Sequence, residues 1–202
     1  MSHLENDFTS KSNVLKLLSS RLKKSKIEKI FDFTVQEWKN NKSGILLNIQ
    51  KEFHNKSVII RSSAIGEDSI ENSNAGEYLS IQNIPAGSKI KLQKAINNVI
   101  ESYKKKSNFN NNNQVLVQTQ TTNVKISGVV FTKTPDLGGP YYVINYDESS
   151  STTGVTGGLV GNTIKLFRKT PLSLIPVRWK KLVASIKEIE KLLHSNGLDI
   201  EF

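Results

Sequence analysis

A β-branched run, Val58–Ile60, ends in Arg61 and opens at once into Ser62, Ser63, Ala64, Ile65 and Gly66. Three consecutive residues of this kind read as a buried strand. The arginine then stands at the carboxyl end of that strand, where open α/β sheets place their ligands. Small residues after it keep the loop low enough for backbone N–H groups to approach a phosphate. The guanidinium adds a fixed fork of donors suited to phosphate oxygens. The same pattern also describes an ordinary strand-to-loop connection with a solvated arginine, and local chemistry leaves both readings open.

Helical and strand patterning alternate around this run. Val14, Leu15, Leu17, Leu18 and Leu22 fall at helical spacing over residues 12–22, with Thr9 and Ser10 placed as caps. Ile27–Phe33 reads as a strand, Thr34 caps a short helix through Trp38, and Ile45–Phe53 is apolar at helical intervals. A strand over Tyr78–Ile84 leads through a turn at Pro85–Gly87 to a long helix, one face of which carries Leu92, Ala95, Ile96, Val99, Ile100 and Tyr103. Asn110–Asn113 is low-complexity and reads as a mobile surface loop with no assigned chemistry. Val115–Thr119, Ile126–Thr132 and Tyr141–Tyr146 follow as strands, and residues 163–168 return to strand alternation. A final helix bears Trp179, Leu182, Val183, Ile186, Ile189 and Leu193 on one stripe; Gly197 lies just past its end, and Leu198–Phe202 is a terminal strand. This order predicts an α+β or mixed α/β fold. The expected division is a first lobe over residues 1–113, a β-rich second lobe over 114–170, and a return helix and strand over 171–202.

Composition narrows the partners. The formal net charge is +10, from 28 Lys and Arg against 18 Asp and Glu, so a polyanionic ligand is electrostatically favoured. Nucleic acid is not the expected one: clusters such as Lys23–Lys24 and Lys104–Lys106 lack interleaved aromatic residues and read as a solvated face. The chain has no cysteine, which excludes disulfides, thiolate metal sites and a cysteine nucleophile. With no apolar run long enough to span a bilayer and no secretion-signal pattern in the first residues, a cytoplasmic protein is expected. His3, His54 and His194 stand apart from one another, without metal-ligand spacing, and read as surface residues.

Asp199 and Glu201 lie two residues apart in the terminal strand, so the strand period puts both carboxylates on one face. Such a pair suits a hard cation, and Mg²⁺ commonly takes one or two carboxylates plus nucleotide phosphates. Acidic residues on an exposed edge strand are also common without any metal.

Four segments together resemble the N-terminal ATP-binding domain of the phosphoenolpyruvate synthase and pyruvate phosphate dikinase superfamily. They are Arg61–Ala64 with Glu67, Asp68, Ala75 and Gly76; Thr9–Leu15; VLVQTQTTNVKISGVVFTKTP; and the closing LDIEF. The resemblance implies an ATP-grasp-like fold with two lobes and the nucleotide in a cleft between them. It implies that Lys11 and Arg61 meet the ATP phosphates, with Ser62, Ser63 and Gly76 in the same loop system. Gln118 and Thr119 become adenine-side candidates, because the family's strand edge there faces the base. Gly128, Phe131, Thr132 and Pro135 match the pattern after it, with Thr132 counted among the nucleotide contacts and Phe131 read as core. Asp199 and Glu201 are implied Mg²⁺ ligands.

The segment NYDESSSTTGVTGG departs from the family's Gly-Leu-Gly-Glu run: Ser149–Thr152 stand in its place, while Gly157 matches the closing glycine. In this it resembles the L-glutamine kinase branch, which phosphorylates an amide nitrogen. The arginine segment many members carry after the long helix is missing, which leaves two alternatives: a lysine among 104–106 substitutes for it, or the contact is lost. The implied activity is that of a transferase, a kinase of the dikinase type. ATP passes its β-phosphate to a histidine on a separate domain, giving AMP and phosphate, and an acceptor domain follows. The resemblance ends with LDIEF, before those domains, so a piece of a larger enzyme or an isolated nucleotide-binding domain is expected. Two other readings remain open, a non-catalytic ATP-binding-like partner domain and a basic nucleic-acid-binding module.

Overall fold

The computed structural model describes residues 10–65, 79–104, 109–148 and 161–202. The chain forms two compact units. One holds the residues up to Ser19 together with Ile27–Thr121, the other Ser20–Lys26 together with Thr122–Phe202. The class is α+β, as the patterning predicts, with antiparallel pairing throughout the described sheets.

In the first unit, α1 (Lys11–Ser19) precedes β1 (Ile30–Thr34), α2 (Val35–Asn40), α3 (Lys42–Glu52), β2 (Ser57–Ser63), β3 (Ser80–Pro85), α4 (Lys89–Lys104) and β4 (Gln114–Thr119). The strand order is β1-β4-β2-β3. The strand expected to open the second lobe is therefore a central strand of the first sheet, and the boundary expected after residue 113 falls after Thr121. Directly paired residues of antiparallel strands share a face. Phe31, Val117, Ile60 and Ile81 form one cross-strand row, and Phe33, Val115 and Ser62 the next. This is the face that packs with Trp38, Ile49, Leu92, Ile96 and Val99 to make the core.

Local chemistry sets the helix starts. Thr34 caps α2 in a reciprocal box: its hydroxyl accepts from Glu37 N–H at 3.1 Å, and its own N–H donates to the Glu37 carboxylate at 2.7 Å. Phe33 before the cap stacks on Trp38 at 5.7 Å, a hydrophobic staple. The two N–H groups that the box leaves over, those of Val35 and Gln36, donate to the carbonyls of Asn113 and Asn111, each at 2.9 Å. The asparagine run is thus not a bare surface loop. Asn113 is 3% exposed, and its side-chain oxygen accepts from Ile65 N–H at 3.3 Å. A bulge between β2 and β3 leaves Asn83 with φ of 59°, and Gln120 holds it there through two side-chain hydrogen bonds of 2.7 and 2.9 Å.

The second unit contains β5 (Ser127–Phe131), β6 (Tyr141–Asp147), β7 (Asn162–Phe167), α5 (Val177–Leu193) and β8 (Asp199–Glu201), with the sheet ordered β7-β6-β5-β8. Val130, Tyr142 and Ile144 pack on Trp179, Val183 and Ile186 of α5. Phe131, read as core, lies outside that cluster because its place in the alternation puts it on the opposite face from Val130. The turn before β6 needs a glycine at Gly138, where φ is +64°. The stop after α5 is His194, with φ of 50°, rather than Gly197. The first helix stops at Ser19, short of Leu22, because the following segment belongs to the second unit. There the N–H groups of Lys23 and Lys24 donate to the two oxygens of Glu188 at 3.1 and 2.9 Å, and Ser185 donates to Lys24 O at 3.1 Å. No helix among the described residues is long and apolar enough to cross a membrane.

Candidate nucleotide site

The face of the first sheet opposite its core is where the polar residues of interest collect. Ser63, Gln114 and Thr34 form one row, Arg61, Leu116 and Asp32 the next, and Ile59, Gln118 and Ile30 the third. Arg61 lies inside β2 rather than at its end, since the strand runs on to Ser63. It shares this face with Gln118, one row away on the neighbouring strand.

The start of α1 is fastened to the same face. Ser10 caps the helix, its carbonyl accepting from Val14 N–H at 3.1 Å and its hydroxyl from Asn13 N–H at 3.3 Å. The Ser10 hydroxyl also donates to Gln114 Oε1 at 2.5 Å, and Ser12 N–H donates to Ser63 Oγ at 2.9 Å. Gln114 Nε2 donates to Asp32 at 3.1 Å, and Lys16 pairs with the other oxygen of that carboxylate at 2.5 Å. Lys11, the first residue of α1, is thereby delivered to the end of β2 that follows Arg61. The sequence pattern did not single out Asp32 or Gln114, and it placed Tyr103 only on the apolar face of the long helix. A carboxylate at alternate spacing in an otherwise apolar strand was the available signal for Asp32.

The expected phosphate loop is rearranged at its root. Ser62 N–H donates to Leu79 O at 3.2 Å, Ser63 N–H to the Tyr103 hydroxyl at 2.9 Å, and Ile65 N–H to Asn113. The Ser63 hydroxyl already accepts from Ser12, and Ser62 is buried on the core face. These residues hold the geometry around Arg61 with the very groups expected to meet phosphate. The adenine edge changes too. β4 is flanked by β1 and β2, with Gln118 registered against Ile30 and Ile59, so it has no free edge there. Thr119 N–H donates to Lys29 O at 2.9 Å, and its hydroxyl, buried on the core face, has no hydrogen-bond partner among the described residues. Lys104, one candidate for the missing arginine, pairs with Glu101 one turn earlier at 2.6 Å.

In the second unit, Asp199 and Glu201 are exposed on one face of β8, an edge strand of three residues. Asp199 is registered on Phe131 and Glu201 on Val129. Phe202 and Gly128 exchange N–H···O bonds of 2.9 and 3.0 Å, and a Cβ on Gly128 would stand 2.2 Å from the Asn145 carbonyl, so a glycine is required. Two hard oxygen donors on one face are the donor chemistry that would suit Mg²⁺. No group of three or more His, Cys, Asp or Glu suited to a metal occurs among the described residues. Thr132, expected to touch nucleotide, is fully buried: its N–H donates to Leu198 O at 2.9 Å and its hydroxyl accepts from Leu198 N–H at 2.8 Å. Gly76 and Gly157 lie outside the described residues.

No curated protein matches the chain. The family model for the pyruvate phosphate dikinase AMP/ATP-binding domain matches residues 36–148, more than half of the 202 residues. That match takes in Arg61 and Gln118 and leaves Lys11, Asp199 and Glu201 outside it. By that match the chain belongs to the pyruvate phosphate dikinase AMP/ATP-binding family, a nucleotide-binding domain of a dikinase-type phosphotransferase family with an α+β, ATP-grasp-like fold.

Proposed function

We propose that the chain binds MgATP for a phosphotransferase that moves the β-phosphate to a histidine on a separate domain, releasing AMP and orthophosphate with uptake of one water. The observation that carries this reading is the convergence of Arg61 and the start of α1 on one face of the first sheet, with Arg61 inside the family match. Arg61 supplies paired N–H donors to phosphate oxygens. Lys11 adds a point charge at the helix N-terminus, whose dipole favours anions. Gln118 faces the base side. Ser63 helps build this face, Ser62 and Thr119 brace it from the core side, and Thr132 is part of the frame of β8.

Asp199 and Glu201 are the residues that would hold Mg²⁺. When bound, the ion screens the phosphate charge and helps align an in-line transfer. The protein's own share is positioning and electrostatics, and the phosphohistidine and acceptor domains belong to the partner chemistry. Ser149–Thr152, standing where the synthases have Gly-Leu-Gly-Glu, supports an amide acceptor of the L-glutamine type over pyruvate.

Calorimetric titration with ATP in Mg²⁺ tests the reading. The chain binds, and Arg61→Ala weakens binding about 10- to 100-fold, the equivalent of roughly 1.5–3 kcal/mol for hydrogen bonds to a charged group. Absence of MgATP binding by the unaltered protein would sink the proposal. An Arg61→Ala variant that binds as the parent does would favour the non-catalytic partner domain instead.

A further inference from the structure

One point in the second unit joins five elements. Arg168, which follows β7, donates Nη1 to the carbonyl of Thr132 at 2.5 Å and pairs with Glu190 of α5. The Tyr142 hydroxyl of β6 donates to the other Glu190 oxygen at 2.9 Å, and the Arg168 guanidinium lies 4.9 Å from the Tyr142 ring centroid. The side chains of Arg168 and Glu190 are 20% and 10% exposed, so this ion pair is largely withdrawn from water. On its other side, Thr132 grips Leu198 through both its N–H and its hydroxyl.

Desolvating an arginine and a glutamate offsets much of their attraction, and an apolar cluster of similar volume would stabilise the unit as well or better. What the ionic cluster adds is direction. It fixes the Thr132 carbonyl, and Thr132 in turn fixes the residue that precedes Asp199. The strand that needs this help is three residues long, lies at the sheet edge, and among the described residues pairs with β5 alone. Its far end is pinned by the exchange between Phe202 and Gly128. Its near end depends on Thr132.

We propose that Thr132, Arg168 and Glu190 are positioning residues for the divalent cation, holding the Asp199 carboxylate in register with that of Glu201. This rests on the reading of Asp199 and Glu201 as metal ligands. Partners that orient metal ligands from behind commonly change metal affinity by about 10- to 100-fold when removed.

Mn²⁺ serves as the probe, titrated into the full chain by electron paramagnetic resonance with a non-hydrolysable ATP analogue present. Metal-free affinity for the analogue is measured alongside. Thr132→Val, which keeps the shape and loses the hydroxyl, weakens Mn²⁺ binding about 10-fold or more while metal-free nucleotide affinity holds, and Thr132→Ser restores the metal. Glu190→Gln gives the same split, and decides the matter if Thr132→Val does not fold. If the parent binds Mn²⁺ and Asp199→Asn loses it, yet the folded Thr132→Val or Glu190→Gln binds Mn²⁺ at parental strength, the positioning role is overturned and the metal reading stands. If Asp199→Asn has no effect on Mn²⁺, the metal reading itself fails and takes the positioning role with it.

Discussion

Tyr142 is nearly inaccessible, and burial together with its hydrogen bond to Glu190 pushes its phenol up to about 12. An unfolded tyrosine ionises near 10, so the folded state binds this proton more tightly than the unfolded chain does. The contribution is complete below about pH 10 and drains away as pH rises toward about 12. Chemical denaturation across that window should show the second unit losing stability, and Tyr142→Phe should flatten the loss; an unchanged slope in the variant would count against the assignment. Residue-scale features differed in how far they could be read in advance. Thr34 was legible as a cap because its box closes within four residues. Ser63 was not, since its hydroxyl and N–H are claimed by Ser12 and Tyr103, partners 51 and 40 residues away. Small polar residues after an arginine fit a ligand loop and a structural joint equally well until those partners are known.

At the scale of elements, the asparagine run is the instructive case. Its composition reads as solvent-facing, and nothing in a string of four asparagines distinguishes a loop from a cap for a helix seventy-odd positions earlier. Asn113 nevertheless closes the first turn of α2 with its carbonyl and takes Ile65 N–H with its side chain. Replacing it by alanine removes a buried acceptor, so Asn113→Ala should destabilise the first unit by about 1–3 kcal/mol in a denaturant titration. An unaltered midpoint would show that the side chain is dispensable there. The strands themselves were legible from alternation and β-branched content, but their sheet was not. Strand pairing joins β4 to β1 and β2 across long separations, and periodicity carries no record of the neighbour. That is why the division of the chain, and with it the supposed free edge at Gln118, came out differently in three dimensions. The paired carboxylates of β8 were legible for the opposite reason: a two-residue spacing and the strand period are both local.

For the molecule as a whole, the excess of positive charge raises the question of which polyanion it serves. A nucleic-acid module neutralises many phosphates at once and loses affinity steeply with salt, in proportion to the ions released. The proposed nucleotide site around Arg61 and Lys11 would engage a single triphosphate. ATP affinity should therefore fall only shallowly between low and physiological salt, and duplex DNA in excess should not displace ATP, as fluorescence competition would read. Displacement at equal phosphate concentration would instead assign the charge to nucleic acid.

The segment Ser20–Lys26, seated by Glu188 and Ser185, closes contacts over separations of 161 to 165 residues. Contacts of such long range carry a large loop-closure cost, because the intervening chain must first be brought together. During synthesis this segment leaves the ribosome long before α5 exists to receive it. The second unit therefore completes itself from opposite directions along the chain, and until α5 emerges the Lys23 and Lys24 amides are left to water. Order of emergence and order of assembly run contrary to each other here, so whatever first engages the nascent protein meets the first unit with the mooring of the second still unfastened.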